Sequence, residues 1–381
     1  MAHEETAFPW DIGVFDAHCH PTDTMASIAS IPAMKAATLT IMATRGEDQE
    51  LVRQTAEAHV NRVLPCFGWH PWFSHQIIDD SIDQQEQDAQ QQKTTHYKAV
   101  LTPSPEDDEA FIQSLPNPKP LSTLISETRE RLHSFPNALV GEIGLDKSFR
   151  LPGAWTAQDI EGRDDQVTPG SREGRRLSPY KVKLDHQRTV LKAQLRLAGE
   201  LARAVSVHSV QAHGAIFELL KELWAGHERV VISRREREKQ QDAEGAVSED
   251  ENQDGEEAAD TTKSATVKQQ PFPPRICLHS YSGPVEPLRQ FLHKANPSDV
   301  YFSFSSVINF TGSSSSSRRV SDVIKALPED RVLVESDIHT AGPQMDELLE
   351  QAARQICEIR GWELRRGVQQ LADNWRRFVF G

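Results

Sequence analysis

The chain has 381 residues, of which 38% are hydrophobic and 26% are charged, and its formal net charge at pH 7 is −14. This length is enough to bury a sizeable core in one large domain or two ordinary ones. No stretch approaches the roughly 18 to 20 consecutive apolar residues that a membrane helix needs, which excludes an integral membrane protein.

Cysteine usage and the amino terminus bear on the compartment. The four cysteines share no C-x-x-C spacing, and the first residues carry acids where a secretory signal would carry bases. We therefore expect a reducing intracellular location, in the cytoplasm or the nucleus.

The acidity of the chain is concentrated in one stretch. Residues 240–262 hold nine acids and no base, which leaves a charge of −5 for the other 358 residues. The charge of the remaining chain is nearly balanced and says little about its substrate.

Eight short apolar runs follow one another along the chain, most of them succeeded by a polar loop and a stretch of helical period. They cover residues 12–16, 37–42, 63–67, 138–143, 204–207, 275–278, 300–304 and 331–335. Helices are predicted at residues 121–133, 180–202, 215–224, 285–294, 321–326 and 345–359. Eight alternating units favour an α/β fold, a TIM (β/α)8 barrel with a mostly parallel sheet, as a single domain over residues 1–381.

Three polar stretches interrupt this alternation and are predicted to be long loop insertions. Residues 79–120 follow the third strand and residues 150–179 follow the fourth, so both are expected at the carboxyl-end face, where loops shape the active site of a barrel. The second stretch contains Arg172, Arg175 and Arg176, which are candidates for contact with a phosphate backbone. Residues 233–274 contain the acidic run before the sixth strand, and their composition predicts disorder on the opposite face.

Side chains of the metal-binding type recur where the predicted strands end. They are His18 and His20 in DAHCHP, Glu142 in GEIGLD, His208 in VSVHS, His279 in CLHSYSG and Asp337 in VESD. Each alone has an ordinary explanation, such as a hydrogen-bonded core histidine or a helix cap. In a barrel, however, the strand ends converge on one mouth. Gathering these six groups there without a cation would cost several kcal/mol for each unpaired buried charge, so the sequence predicts a metal centre.

The number of these side chains favours two cations over one. A catalytic zinc typically takes three protein ligands and water, whereas two ions sharing Glu142 as a bridging carboxylate would use all six side chains. A pair of divalent ions suits the hydrolysis of a phosphoester or a related bond. Nitrogen and oxygen ligands suit zinc, manganese or iron, and the carboxylates would also accept magnesium. We therefore predict two divalent metal ions, Mg²⁺, Mn²⁺ or Zn²⁺.

These blocks, with GWHP around His70 and the closing N-x-x-x-F of residues 374–378, resemble the signature blocks of the TatD family of metal-dependent deoxyribonucleases, in the same order. The resemblance implies a barrel of the metallo-dependent hydrolase type that acts on DNA as a 3′–5′ exonuclease or an endonuclease. It also implies the ligand sets. His18 and His20 would bind the first metal, Glu142 would bridge, and His208 and His279 would bind the second metal.

The resemblance assigns roles to three further side chains. Asp337 would bind the first metal and accept the proton of the attacking water, so Asp337 and Glu142 are the catalytic candidates. His70 would lie near the scissile phosphate, and Glu335 corresponds to the glutamate of the family's E-T-D block; both are substrate-binding candidates. Glu335 also has a simpler explanation, as a hydrogen-bonded acid of the barrel core. Trp69 and Trp72 flank His70 and are candidates for stacking on nucleobases.

Three blocks depart from the family pattern, one of them mildly, since residues 279–283 read HSYSG where the family has H-C-F-S-G. Residues 209–212 read SVQA where the family has S-R-D-A, so a cation that would hold substrate is missing, and residues 335–339 read ESDIH in place of E-T-D-A-P. The SDIH variant and the insertions are similar to a fungal branch of the family described as interacting with a tetratricopeptide-repeat (TPR) subunit of the anaphase-promoting complex. That similarity implies a TPR-containing protein partner.

Three functions stay open on the sequence alone. The first is a phosphodiester hydrolase acting on DNA. The second is an amide or lactone hydrolase of the same superfamily, and the third is a non-catalytic scaffold whose acidic stretch or insertion binds a TPR-containing cell-cycle protein. No P-loop, dinucleotide-binding or G-x-S-x-G motif is present, so nucleotide-triphosphate, dinucleotide and serine-hydrolase functions lack support.

Overall fold

A computed structural model describes residues 7–81, 88–170, 172–231, 270–311 and 314–381. Eight strands form one sheet in chain order, each parallel to the next. They are β1 Phe15–Cys19, β2 Thr38–Met42, β3 Val63–Phe67, β4 Leu139–Asp146, β5 Val205–Val210, β6 Arg275–Leu278, β7 Asp299–Phe304 and β8 Val332–Val334. This nearly closed sheet with helices outside confirms the predicted TIM barrel.

Helices follow most of the strands and surround the sheet. They are α1 Gly46–Ala58, α2 Ala89–Val100, α3 Glu109–Ser114, α4 Leu121–Ser134, α5 Ala157–Glu161, α6 Leu184–Glu200, α7 His213–Trp224, α8 Leu288–Phe291, α9 Ser306–Asn309, α10 Ser314–Ala326, α11 Pro343–Arg360 and α12 Leu364–Phe380. Among the described residues, no helix is both long enough and apolar enough to cross a membrane.

The first and last strands meet at a seam, which residues beyond the end of β8 complete. The backbone N–H of Asp337 donates to the carbonyl of His18 at 3.0 Å, and the N–H of His20 donates to the carbonyl of Ile338 at 2.9 Å. Asp16 accepts hydrogen bonds from the backbone and the hydroxyl of Ser336 across the same seam. The barrel is therefore closed by backbone groups of three predicted metal ligands, His18, His20 and Asp337, and of their neighbours.

The strands are buried on both faces, because helices cover the outside of the barrel and side chains of the strands themselves fill its interior. Outward residues such as Leu39, Ile41 and Val207 belong to the large core shared with the helices. A separate interior cluster contains Met42, Leu64, Cys66, Leu139, Cys277, Tyr301 and Leu333, and it continues into α12 through Trp375, Phe378 and Val379. The last helix therefore fills the end of the barrel opposite the mouth.

Polar contacts fix α12 in this place. The Asn374 side chain, fully buried, donates to the carbonyls of Glu329 at 2.7 Å and Val332 at 2.8 Å. The Arg275 guanidinium donates to the carbonyls of Phe378 and Val379 at the helix end. The closing N-x-x-x-F block thus contributes one amide that holds β8 and one ring that fills the barrel floor.

The structure corrects several predicted elements. The first strand begins at Phe15, three residues later than predicted, because Trp10–Ile12 forms a 3-10 turn and Gly13 adopts a left-handed φ of 91°. The helix predicted from residue 180 begins at Leu184, since Lys181–Val182 pairs with Leu101–Thr102 of the first insertion. The helix predicted at 285–294 shortens to Leu288–Phe291, and α1 and α12 were not predicted.

The first two insertions pack on each other at the barrel mouth. Their shared apolar cluster contains Tyr97, Val100, Leu101, Phe111 and Ile112 from residues 79–120, Leu151 from residues 150–179, and Tyr180 and Val182 just beyond them. The Tyr180 hydroxyl also donates to Asp108 at 2.8 Å. Nearly all of the third insertion, residues 233–274, lies outside the described residues, as does the acidic run within it.

The barrel floor gives a stability prediction. We expect Phe378→Ala to lower the free energy of unfolding by about 3 to 5 kcal/mol, because the ring is fully buried between strands and helix. Phe380→Ala is the matched control, since that ring is 56% exposed two residues later, and its effect is expected to stay within about 0.5 kcal/mol. Urea unfolding followed by circular dichroism measures both. Equal effects of the two substitutions would contradict this account of α12.

Candidate metal centre

Four ligand-type atoms converge between β1, β4 and the end of β8. His18 Nε2 lies 3.0 Å from His20 Nε2, and these two nitrogens lie 3.5 and 3.4 Å from Glu142 Oε2 and 3.9 and 3.6 Å from Asp337 Oδ1. A tetrahedral ion with bonds of about 2.1 Å places its ligand atoms about 3.4 Å apart. The spacing of this first set therefore fits one small divalent cation.

A second set surrounds the other oxygen of the same carboxylate. Glu142 Oε1 lies 3.0 Å from His208 Nδ1 and 2.8 Å from His279 Nε2, and these two nitrogens are 3.3 Å apart. The six side chains predicted as ligands are thus brought together, although they are spread over 320 positions of the sequence. Groups of this kind can hold metal ions, with Glu142 between the two sets.

Period-two geometry explains how two of these histidines reach the mouth. Alternate residues of a strand share one face, so His208 lies on the face of Ser206, whose hydroxyl contacts His18 Nδ1 at 2.8 Å inside the barrel. His279 likewise follows Cys277, whose Sγ contacts Ser303 Oγ. Each histidine therefore lies two residues beyond an interior residue, on the same face and nearer to the mouth of the barrel.

A glycine of the GEIGLD block allows β4 to approach β5 closely. Gly144 adopts a φ of 155°, and a Cβ added there would lie 2.1 Å from the carbonyl oxygen of His208. The strand continues to Asp146, so Glu142 lies inside β4 and not at its end as predicted. The register between β4 and β5 shifts between Val140 and Ile143, around the position of Glu142.

Charge compensation at Glu142 determines the electrostatics of the mouth. Burial pushes the pKa of Glu142 upward, but the surrounding His70, His279 and His18 outweigh it and hold this pKa well below its ordinary value. Burial raises the pKa of Asp337, with further contributions from the Glu335 and Glu142 carboxylates. The centre thus holds an ionised carboxylate in the middle and a more basic one at its rim.

His70 contacts the same carboxylate but differs from the other histidines. Its Nδ1 accepts a hydrogen bond from the backbone N–H of Trp72 at 3.2 Å, so in the neutral ring Nε2 carries the proton. That nitrogen lies 3.1 Å from Glu142 Oε1 and donates to it. In this tautomer His70 faces Glu142 as a hydrogen-bond donor, although its ring also belongs to a group with Glu142 and His208 that could hold a metal ion.

Glu335 and Asp337 complete the wall near His279. Glu335 Oε1 accepts from the backbone of Ser280 at 2.8 Å, while its Oε2 and Nδ1 of His279 are buried atoms without a hydrogen-bond partner. The Ser280 hydroxyl lies between the two acids, 2.5 Å from Glu335 Oε1 and 3.2 Å from Asp337 Oδ2. Buried unpartnered polar atoms are costly, and a cation or a water molecule between them would satisfy both.

Sequence reasoning missed Asp146, four residues after Glu142 in the same block. Its Oδ2 lies 3.1 Å from His208 Nε2, and its Oδ1 accepts from the backbone N–H groups of Ser148 and Phe149. A carboxylate on the far nitrogen of a ligating histidine fixes the tautomer and the orientation of the ring. The sequence did show this acid at the end of the GEIGLD block. It was overlooked because the strand was predicted to end at residue 143.

A cleft of about 640 Å³ opens above these residues. Its walls include Ser114, Leu115 and Pro116 of the first insertion and Phe149, Leu151, Pro152, Trp155, Arg172 and Arg175 on and beside the second. Of the two tryptophans beside His70, Trp72 lines this cleft. Trp69 is buried and donates its indole N–H to the carbonyl of Phe73, which excludes it from the mouth.

Comparison with known proteins identifies relatives along the whole chain. Residues 15–380 match the family described as TatD related DNase. The chain is 36% identical over 367 residues to Cut9-interacting protein scn1 of Schizosaccharomyces pombe, covering 96% of this chain and 98% of that protein. It is 27% identical over 381 residues, with the same coverage, to an uncharacterized deoxyribonuclease of Saccharomyces cerevisiae.

Solved structures agree on the fold. A TatD homolog from Escherichia coli, YJJV, superimposes with a TM-score of 0.51 at 16% identity, covering 96% of this chain and 97% of that one. An uncharacterized amidohydrolase from Saccharomyces cerevisiae gives 0.54 at 12% identity, covering 96% and 99%. With the eight-stranded barrel and the cluster of histidines and acids at its mouth, the match over residues 15–380 shows that the chain belongs to the TatD-related DNase family.

Proposed function

We propose that the protein is a divalent-metal-dependent phosphodiester hydrolase of the TatD type that cleaves DNA with two cations. The observation that carries this proposal is the position of Glu142, whose Oε2 faces His18 and His20 while its Oε1 faces His208 and His279. A carboxylate whose two oxygens point to separate ligand sets is suited to bridge two ions. Membership of a deoxyribonuclease family supports the choice of DNA.

The cations would be Mg²⁺, Mn²⁺ or Zn²⁺, held by the two sets that share Glu142. When bound, divalent ions of such a pair activate water near neutral pH and neutralise charge on the phosphate. Mixed imidazole and carboxylate ligands accept all three ions. Asp146 orients His208 through Nε2, so that Nδ1 is directed toward Glu142 and the second set.

The side chains of the mouth then divide the remaining tasks. Asp337 directs Oδ1 toward His18 and His20, which leaves Oδ2 as the oxygen that can accept the proton of the attacking water. His70 offers its Nε2–H beside Glu142, where it can donate to a phosphate oxygen of the substrate. Glu335 holds the Ser280 turn and faces His279, which suits it to orient a ligand or a water molecule.

Replacement of the bridging carboxylate tests the activity. We expect Glu142→Gln to reduce Mn²⁺- or Mg²⁺-dependent release of nucleotides from single-stranded DNA to background. A neutral amide lacks the negative charge and the second anionic oxygen that a bridge between two cations needs. Glu47→Gln is the control, since Glu47 lines the same cleft but lies outside the metal groups, and it should keep activity within a few-fold. Equal activity of wild type and Glu142→Gln would reject the site. Lactone and amide substrates in the same panel test the alternative hydrolase.

Metal content separates ligands from donors. Purified wild-type protein loaded with Mn²⁺ should contain two equivalents by elemental analysis, and His208→Ala should retain one. His70→Ala should keep both equivalents while turnover falls about 100-fold, because His70 acts as a hydrogen-bond donor in the proposed assignment, which its contact with the Trp72 backbone supports. Loss of an equivalent in His70→Ala would make His70 a ligand and overturn this assignment.

A protein-binding role is a second candidate, and one observation favours it. The relative that shares 36% identity over 96% of this chain is named for an interaction with Cut9. The resemblance noted in the sequence implies a TPR-containing cell-cycle protein as the partner here. Such a role does not exclude catalysis, because the metal-binding side chains and the acidic run occupy separate parts of the sequence.

Deletion of residues 240–262 tests this role. The variant is expected to lose binding to the TPR partner in a pull-down while keeping its metal content and nuclease activity. A matched control replaces the same residues with an uncharged Gly/Ser segment of equal length, which separates the effect of charge from that of length. Full retention of binding in the deletion would dismiss the acidic run as the binding segment.

A further inference from the structure

A stacked pair of aromatic rings stands directly beside the metal centre. The rings of Trp72 and Phe149 lie 4.4 Å apart and 10° from parallel, and both line the cleft. The Trp72 ring meets the imidazoles of His70 and His208 edge-on, with centroids 4.7 and 5.8 Å away. Trp72 nevertheless remains 36% exposed, so part of a large apolar ring faces the cleft next to the proposed reaction centre.

Asp146 holds this pair in a fixed relation to the second ligand set. Its Oδ2 accepts the indole N–H of Trp72 at 2.6 Å and contacts His208 Nε2, while its Oδ1 accepts the backbone N–H of Phe149 at 2.9 Å. One carboxylate therefore links the Trp72 ring and the Phe149 backbone to His208, a proposed metal ligand. A surface fixed in this way loses little conformational entropy when a ligand binds.

The charge of the cleft shows which part of a nucleotide this surface recognises. Its described lining contains the acids Asp23, Glu47, Glu142 and Asp337 and the arginines Arg45, Arg172 and Arg175. Arg45 is buried against Asp23 and Asp48, and Arg175 lies 4.3 Å over the ring of Trp155. The phosphate of a nucleotide would therefore be met by the proposed cations and by the histidines of the cleft, and the uncharged Trp72–Phe149 pair is left for the base.

We propose that the Trp72–Phe149 pair is a binding subsite for the nucleobase of the nucleotide at the reaction centre. The proposal rests on the proposed function for the choice of a nucleotide. Stacking on aromatic rings tolerates every base, because each has a π-face. The apolar residues of the insertions, such as Leu115 and Leu151, continue the wall on which the base rests.

Equilibrium binding tests the subsite without requiring turnover. Isothermal titration of the Mn²⁺-loaded protein compares thymidine 5′-monophosphate with 2-deoxyribose 5-phosphate, which has the same phosphate and sugar but no base. Wild type is expected to bind the nucleotide about 5- to 150-fold more tightly, the range that base–aromatic stacking gives. Trp72→Ala and Phe149→Ala should each bring this ratio close to one.

Two further variants separate stacking from other effects. Trp72→Phe keeps an aromatic ring but loses the hydrogen bond to Asp146, and it should retain most of the preference for the nucleotide. Phe380→Ala, at the opposite end of the barrel, should keep the wild-type ratio. Thermal unfolding of each variant checks that it is folded.

The possible outcomes separate this subsite from the nuclease proposal. Equal affinity of wild type for the two probes, or an unchanged ratio in both alanine variants, would overturn the subsite even if DNA is hydrolysed. A strong preference for the nucleotide that both alanine variants abolish would support the subsite even if no DNA is cleaved, and the failure would then belong to the proposed activity.

Discussion

The buried carboxylate of Glu142 is the constraint on which the barrel mouth depends. A charge removed from water inside a barrel must be compensated, and nitrogen atoms of five histidines lie within 3.5 Å of its oxygens. These histidines lie on or just after β1, β3, β5 and β6, so Glu142 is the point at which the ends of these strands meet β4. Four of the five histidines are also proposed to hold cations with Glu142, so the stability of the mouth and its chemistry share most of their side chains.

Much of this arrangement follows from the pattern of the sequence. Short apolar runs with intervening helices are sufficient to predict a barrel, and in a barrel strand ends meet. His208 and His279 were predicted correctly as neighbours, because period-two geometry and parallel pairing leave little freedom at the end of a strand. Five of the predicted runs match their strands to within a residue at each end, since β-branched apolar residues buried on both faces have few alternatives.

The remainder depends on contacts between distant parts of the chain, which local patterns do not encode. Asp146 became part of the centre only because β4 extends beyond residue 143 and pairs with β5 to its end. The roles of Trp69 and Trp72 could not be separated from sequence, since both flank His70 and only the fold buries one of them. Helix α12 was not predicted, although its N-x-x-x-F block was noted and its amphipathic pattern is local; only its place at the barrel floor depends on contacts with distant strands.

The seam between β1 and β8 also constrains when the centre can assemble. His18 and His20 are synthesised well before Asp337, and the hydrogen bond from the Asp337 backbone to the His18 carbonyl joins these distant parts of the chain. A growing polypeptide on the ribosome therefore lacks part of this first group of side chains until the residues that follow β8 emerge. Closure of the barrel at this seam accordingly waits for β8, and it joins strands that leave the ribosome at very different times.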